Sequence, residues 1–354
     1  RENAPRPPAP AEIHRSRWSF ARKAVNAVQA VIIIALLVTV GWIYFRAAAP
    51  APITRFQVTL PERTNFSSLQ AGQIATNSGT ISPDGTRMVW GASDASRKAQ
   101  LWVRSLDAIT AQPLNGTENA AFPFWSPDSR TIGFFADSKL KKIGVQGGPA
   151  QTLCDCGPNP RGGSWSKDGV IVFAPAIAGP LLRVPAEGGQ PAPATALDAS
   201  RNETAHRYPY FLPDGRHFLF TASDAAGAGR IYAGSLDSEE TKHLIDAAAN
   251  AMYAPPGYLL FTRESTLFAQ RFNAERLELS GEAAPVEEGI PLDAGNQLSA
   301  FSVSNSGALT FRTGGSAATQ LTWFDRNGKQ VGVAGLPGNY THPTLSPDEK
   351  YVAV

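Results

Sequence analysis

The chain has 354 residues and a net charge of +2; Gly (32) and Pro (28) are frequent, and charged residues make up only 18%. This balance is typical of turn-rich all-β proteins rather than helical ones. Residues 1–23 carry +4 and Arg46 adds +1, which leaves −3 for residues 47–354. A mildly acidic β-rich region is a poor nucleic-acid binder, because phosphate neutralisation needs a basic face.

The first 23 residues predict a tether. Pro5, Pro7, Pro8 and Pro10 lie among alanines, a composition that favours an extended, disordered linker. The sequence does not begin with Met, so we expect a further domain upstream of Arg1, joined through residues 1–23. That domain would lie in the cytoplasm.

Residues 24–45 predict a transmembrane helix. They are 22 uncharged residues, about 33 Å at about 1.5 Å per residue, which is enough to cross a bilayer. Trp42, Tyr44 and Phe45 stand at the far end, where interfacial aromatic residues are common. A cleaved signal peptide remains an alternative, because residues 47–49 are small, and a buried core helix is disfavoured by length.

The charges that flank the predicted helix indicate its orientation. Four basic residues lie in 15–23, whereas only Arg46 and Arg55 follow closely. The positive-inside rule then places the N-terminus in the cytoplasm and the rest outside, as a single-pass protein of the inner membrane with a periplasmic domain. Residues 46–52 are a short stalk. A homodimer through the span is a further possibility that the sequence leaves open.

The alternation of apolar residues in 53–60 predicts a lone strand. Phe56, Val58 and Leu60 share one face. In a ring of blades, such a strand often completes the last blade and leaves no free edge.

From there to the end, one hairpin unit recurs. An apolar strand end is followed by Ser-Pro-Asp-Gly, in which Pro sets the first corner, Asp caps the turn and Gly accepts the left-handed exit. A third strand of the type Leu101–Asp107 follows each hairpin. The units recur about every 40 to 50 residues, the period of four-stranded propeller blades. The hairpins begin near Ile81, Trp125, Trp165, Phe211, Gly257, Val303 and Leu345.

The fold prediction for residues 53–354 is therefore an all-β propeller with four-stranded antiparallel blades. Six units are complete, and the seventh stops at Val354 soon after its hairpin starts. The aromatic and apolar residues of the repeat are predicted to pack between blades, among them Trp125, Phe134, Trp165 and Phe211.

The repeat also explains residues that could be taken for a catalytic set. Turn capping accounts for the evenly spaced carboxylates better than acid–base chemistry does. These are Asp84, Asp128, Asp168, Asp214 and Asp348. The sequence Gly162-Gly163-Ser164-Trp165 lacks the second flanking Gly and the helix pattern of a nucleophile elbow. The phosphate-binding and protein-kinase motifs are also missing from the sequence.

The two cysteines, Cys154 and Cys156, lack the second pair that a structural zinc site needs, and the five histidines show no ligand spacing. A reduced pair in a loop is favoured over a strained disulfide. We therefore predict no catalytic, cofactor-binding or metal-binding residues in these 354 residues, and no cofactor.

The Ser-Pro-Asp-Gly unit, with its following apolar strand and Leu-Trp-Val-x-x-Leu-Asp strand, resembles the TolB-like β-propeller repeat over residues 53–354. The resemblance is specific in four units and weakens at Pro255–Phe261 and Val303–Phe311, where the Asp is absent or displaced. Prolyl-oligopeptidase relatives place a hydrolase domain after such a propeller, and TolB is a soluble periplasmic interaction protein. Bacterial eukaryotic-like serine/threonine kinases join a cytoplasmic kinase domain, a Pro-rich tether, one span and an external propeller.

The kinase layout fits this chain best, although membrane-bound winged-helix transcription regulators share it. The resemblance implies an extracytoplasmic sensor that binds an unknown protein or small molecule, without catalysis of its own. The open alternatives are the propeller of a prolyl-oligopeptidase-like hydrolase whose catalytic domain lies beyond residue 354, and an envelope scaffold.

Overall fold

The computed structural model describes residues 15–45, 55–58, 64–66, 79–93, 99–293, 295–313, 319–338, 344–348 and 351–353. The chain divides into two compact units, residues 1–59 and residues 60–354. The first contains a single helix among its described residues, and the second contains all the described strands. Of the predicted tether, residues 1–14 lie outside the described residues, as does the predicted stalk.

Helix α1 spans Arg15–Phe45. Within it, Lys23–Trp42 is long and apolar enough to cross a membrane, by length and composition. Its apolar side chains are exposed, as expected for a helix that does not pack into a protein core. The helix begins nine residues before the predicted span, so the prediction of an extended chain over 15–23 is wrong. All four prolines of the tether lie before residue 11, and nothing in Arg15–Lys23 breaks a helix.

The second unit contains five antiparallel blades, whose strands follow one another from the centre of the ring outward. Blade 1 has both β1 and β2 on the inner edge of β3. Its strands are β1 (Asn65–Phe66), β2 (Thr80–Ile81), β3 (Arg87–Ser93), β4 (Ala99–Ser105) and β5 (Gln112–Pro113). Blade 2 contains β6 (Ala121–Trp125), β7 (Thr131–Ala136), β8 (Lys139–Gly144) and β9 (Gln151–Asp155).

The next three blades repeat the four-stranded order. Blade 3 contains β10 (Gly163–Trp165), β11 (Val170–Phe173), β12 (Leu182–Pro185) and β13 (Ala192–Pro193). Blade 4 contains β14 (Glu203–Phe211), β15 (His217–Asp224), β16 (Gly229–Ser235) and β17 (Lys242–Ile245), and a 3₁₀ turn at Ala199–Arg201 precedes it. Blade 5 contains β18 (Met252–Ala254), β19 (Tyr258–Arg263), β20 (Thr266–Asn273) and β21 (Glu278–Glu287).

Four separate hairpins follow blade 5. They are β22 (Leu292–Asp293) with β23 (Leu298–Ser299), β24 (Phe301–Val303) with β25 (Leu309–Phe311), β26 (Thr319–Phe324) with β27 (Gln330–Gly338), and β28 (Thr344–Leu345) with β29 (Val352–Ala353). All seven predicted repeat hairpins are therefore present. The prediction of six complete blades and a truncated seventh is wrong, because only five of the sheets have four-stranded blade order. Turn residues predict a hairpin, but they do not determine which hairpins join edge to edge.

The ring closes through the β24–β25 hairpin, which lies between blade 5 and blade 1. The backbone N–H of Ile81 donates to Ser302 Oγ at 3.2 Å, and that of Asn305 donates to the Pro83 carbonyl at 2.9 Å. The strand predicted over 53–60 is not seen in residues 55–58, which belong to the first unit. Residues 53–54 and 59–60 lie outside the described residues, so closure by that segment stays a prediction.

Hydrophobic clusters fill each joint between neighbouring blades and the joint between blade 5 and the β24–β25 hairpin. Their centres are aromatic residues of the second strand of each blade, and Phe134, Phe173, Phe218 and Phe261 are fully buried. Burying each such side chain contributes about 1.5–3 kcal/mol. The packing role predicted for Phe134 is confirmed.

The two ends of the ring differ in their connections. We call the end that carries the repeated turns between the first and second strands the turn face, made of residues 82–86, 126–130, 166–169, 212–216, 255–257 and 304–308. Because the strands are antiparallel, the segments that lead into the inner strands gather at the opposite end. We call that end the loop face, made of residues 118–121, 156–162, 194–204, 246–251 and 295–300.

Two turns of the turn face are held by a serine and an aspartate two residues apart. Ser126 Oγ donates to Asp128 Oδ1 at 2.6 Å and accepts from the backbone N–H of Thr131 at 2.9 Å. Ser82 makes the same two bonds in blade 1, as does Ser346 near the end of the chain. The predicted turn capping is thus confirmed for Asp84 and Asp128, and Gly85 takes the left-handed exit at φ +77°.

Candidate functional site: the central channel

The inner strands enclose a channel with a volume of about 610 Å³. Nine of its described lining residues are aromatic, and they include Phe122, Trp125, Trp165, Tyr208, Tyr210 and Phe211. Lys167 is the single charged residue among those lining residues. A mostly apolar cavity with a few polar groups is the usual form of a binding site.

Hydrogen bonds across the joints hold the channel wall in place. Trp125 Nε1 donates to the Thr80 carbonyl at 2.9 Å, which joins blade 2 to blade 1. Ser164 Oγ accepts from the backbone N–H of Phe211 at 3.0 Å, which joins blade 3 to blade 4. Tyr210 Oη donates to the Tyr253 carbonyl at 3.3 Å, joining blade 4 to blade 5. The wall is therefore formed before any ligand arrives, which lowers the entropic cost of binding.

Phe124 fixes the spacing of the wall between blades 2 and 3. Its ring lies over two glycines: a Cβ on Gly133 would stand 2.3 Å from the ring, and one on Gly163 would stand 2.6 Å from it. Real Cβ contacts are longer than that, so any larger residue at either position would force the Phe124 ring to move. The second glycine belongs to the Gly162-Gly163-Ser164-Trp165 sequence, whose role here is close packing.

Two arginines lie at the loop-face end of the channel. Arg161 immediately precedes the lining residue Gly162, and Arg207 immediately precedes Tyr208. The backbones are linked, because the N–H of Tyr208 donates to the Arg161 carbonyl at 2.9 Å. Burial lowers the pKa of Arg207, and the positive charge of Arg161 lowers it further.

A chain of side chains in blade 4 resembles a catalytic triad in its connectivity. Thr195 Oγ1 lies 2.7 Å from His206 Nδ1, and Glu203 Oε2 lies 3.1 Å from His206 Nε2. All three are buried, and Thr195 Oγ1 also accepts from the backbone N–H of Leu181 at 3.0 Å. Burial lowers the pKa of His206, which favours the neutral ring. These bonds link the segment that leads into blade 4 to its first strand and to the backbone of Leu181.

The cysteines are free thiols. Burial raises the pKa of Cys154 to about 11 and that of Cys156 to about 12, so both are protonated at neutral pH. Cys154 lies on β9 opposite Leu140, and Cys156 follows the strand. Among the residues that the structure describes, no group of three or more His, Cys, Asp and Glu could hold a metal ion.

The remaining residues named from the sequence separate into two groups. Asp214 accepts from the backbone N–H groups of Arg216 and His217 and stays on the turn face, and Asp348 accepts from Ser346 Oγ. Asp168 lies in the corresponding turn of blade 3. Trp125, Trp165 and Phe211, predicted as packing residues, also line the channel. They reach the channel because they lie on the innermost strand of each blade. The sequence repeat alone does not show which strand is innermost.

Sequence reasoning missed Phe122, Arg161, Arg207 and Tyr208. They lie outside the repeated unit, so the spacing gave no signal for them. A weak signal was present: Arg161 lies just before the inner strand β10 and Arg207 lies within the inner strand β14, where a charged residue is costly to bury.

No family model matches the sequence, and no curated protein matches it. TolB from Acinetobacter baumannii is a structural neighbour with 11% identity and a TM-score of 0.46 over 59% of this chain and 54% of that one. A TolB candidate from Agrobacterium tumefaciens has 16% identity and a TM-score of 0.47 over 67% and 90%. Oligogalacturonate lyase in complex with manganese has 14% identity and a TM-score of 0.46 over 77% and 83%.

The chain thus spans little more than half the length of the first of these neighbours. All of these neighbours are similar to this chain in fold alone. The pairing of its own strands defines the second unit as a β-propeller.

Proposed function

We propose that residues 60–354 are the extracytoplasmic, ligand- or partner-binding sensor of a single-span membrane receptor. The observation that carries the proposal is the channel, whose aromatic wall is preformed and almost free of charge. Propellers gather variable loops at the ends of a rigid ring, which suits recognition. The bound ligand has an apolar or aromatic body that matches this wall.

Helix α1 is the proposed membrane span. Its exposed apolar stretch is long enough, and the basic residues lie on its N-terminal side. The positive-inside rule then puts that side in the cytoplasm and the propeller in the periplasm. One helix offers no transport path, but it transmits a change in dimerisation between the two sides.

The proposed effector is a serine/threonine kinase domain upstream of residue 1. This part rests on the layout of a basic tether, one span and an external TolB-like propeller. In a receptor of this kind, ligand binding in the channel changes dimerisation, and dimerisation changes how often two kinase domains meet.

Two experiments test the proposal in sequence. Protease added to cells with a permeabilised outer membrane should digest the propeller and spare an N-terminal tag; digestion of the tag alone would reverse the topology. In the intact protein, deletion of residues 60–354 should then change autophosphorylation in membranes. Phosphorylation that stays the same under all growth conditions would leave a non-signalling envelope scaffold as the better account.

A further inference from the structure

Arg161 and Arg207 are unusual because they are partly or fully buried cations without an anionic partner. Arg161 is 8% exposed, and neither arginine forms an ion pair with any residue that the structure describes. Burying an unpaired charge is costly, and the cost falls mainly on Arg161, because Arg207 is only partly buried. Their closeness adds repulsion between like charges, as the lowered pKa of Arg207 indicates.

Their hydrogen bonds leave the buried Nε–H of each guanidinium without a protein acceptor within the described ranges. Arg207 Nη1 donates to Gln297 Oε1 at 3.2 Å, and Nη2 donates to the Ile177 carbonyl at 2.8 Å. Arg161 Nη1 donates to the Pro160 carbonyl at 2.8 Å. The Nε atom of both residues is buried and donates to no group in the described part of the protein. Such groups are rare in native proteins and call for an explanation.

The surrounding residues connect the two arginines to the channel. Arg161 lies 6.0 Å from the centre of the Phe122 ring, and that ring lies 6.1 Å from the ring of Tyr208. Both aromatic residues line the channel and have positive φ, +48° for Phe122 and +52° for Tyr208. Each stands at a register shift of its strand, a local irregularity that redirects side chains and is common beside functional sites.

We propose that Arg161 and Arg207 bind the carboxylate of a ligand whose apolar body lies in the channel. This rests on the proposed function of the channel as a binding site and names the class of ligand. Each arginine has an Nε–H without a protein acceptor among the described residues, and charge-assisted bonds from arginine to a carboxylate are about twice as strong as neutral ones. Both Nε atoms are buried in the unliganded protein. The carboxylate therefore reaches them only after the side chains that cover the two guanidinium groups have moved.

The test compares an acid with its neutral amide. 4-Phenylbutyrate and 4-phenylbutyramide are titrated by calorimetry into the full chain in detergent micelles, with blank titrations into micelles alone. We expect the acid to bind about tenfold more tightly than the amide, since one charge-assisted interaction of this strength corresponds to about a factor of ten. Raised salt should reduce that preference.

Variants locate the effect. R207Q should bring the acid to the affinity of the amide. Arg161→Lys, which keeps the charge but loses Nε, should weaken acid binding while the thermal melt stays close to that of the unmodified chain. R183Q is the matched control: Arg183 is exposed on blade 3 and donates to the Leu236 carbonyl, and this variant should retain the preference.

The outcomes are distinguishable. Equal binding of acid and amide to the unmodified chain would overturn the carboxylate site and leave the channel as a binding site for apolar ligands. A preference that survives R207Q but is lost in K167Q would place the acid at the turn face and overturn the assignment to Arg161 and Arg207. Absence of binding by both compounds would overturn the site and count against the channel as well.

Discussion

The turn face and the loop face of the ring are built on different principles. At the turn face, Ser82 and Ser126 repeat one pattern of hydrogen bonds with the aspartate two residues later, and Ser346 repeats it in the last hairpin. At the loop face, each connection has its own length and partners. Arg161 lies in it, and Arg207 and the strained Phe122 and Tyr208 lie close to it on the inner strands.

This difference between the two faces indicates that the turn face contributes to stability and the loop face to recognition. The serine–aspartate turns fix the inner strand against the second strand in blades 1 and 2, and these bonds are local. The loop-face groups make contacts between distant parts of the chain, as between Arg207 and Gln297, and they leave donors unused. Unused binding capacity on a rigid ring is what a recognition site requires.

The largest expected loss of stability comes from a substitution in a joint between two blades, because the joints support both faces of the ring. Phe134→Ala should lower the free energy of unfolding by about 3–5 kcal/mol, because Phe134 is fully buried between blades 1 and 2. Urea denaturation followed by tryptophan fluorescence measures it. Ile109→Ala, at a side chain 92% exposed, should change the value by less than about 0.5 kcal/mol. A similar loss in both variants would refute the ring of packed joints.

A smaller effect is expected where Phe124 packs over glycine in the channel wall. Gly163→Ala places a Cβ 2.6 Å from the ring, and the resulting overpacking should destabilise the protein by about 1–3 kcal/mol. Gly332→Ala serves as the control, since its Cβ would meet its nearest neighbour at an ordinary 3.8 Å. The melting temperatures of the two variants are compared by thermal denaturation. Equal melting temperatures would show that Phe124 moves aside freely.

The smallest effect is expected on the turn face. Asp128→Asn should cost about 1 kcal/mol at pH 7, the value of one hydrogen bond, because the turns are local. The hydrogen bond from Ser126 lowers the pKa of Asp128 below its usual 3.8. The contribution of the ionised Asp128 to stability is therefore fully present above pH 3.8 and is lost as the pH falls through the lowered pKa.

The variant should accordingly lose less stability than the unmodified chain between about pH 4 and pH 2, by urea denaturation at each pH. Glu239→Gln, at an exposed surface position, should leave the acid-side loss unchanged. If the free energy of unfolding fell with pH equally steeply in Asp128→Asn and in the unmodified chain, the serine–aspartate pair would contribute nothing to the turn.

The sequence predicted the hairpins well because each turn carries its own chemistry. Pro83, Asp84 and Gly85 dictate a tight turn wherever they occur, so all seven hairpins were located. The blade count failed because edge-to-edge pairing depends on register between segments distant in sequence, as with β24 against blade 1. The arginines at the channel were missed for the same reason: Arg207 meets Gln297 90 residues away, and no local pattern encodes that contact.

Hydrogen exchange of the full chain, with and without 4-phenylbutyrate, tests the central claim most directly: the loop face binds and the turn face supports. Ligand should slow amide exchange in residues 156–162 and 203–208, which carry the two arginines, and leave residues 126–130 and 212–216 unchanged. Slower exchange confined to the turn segments, or no change at either end of the ring, would contradict the account.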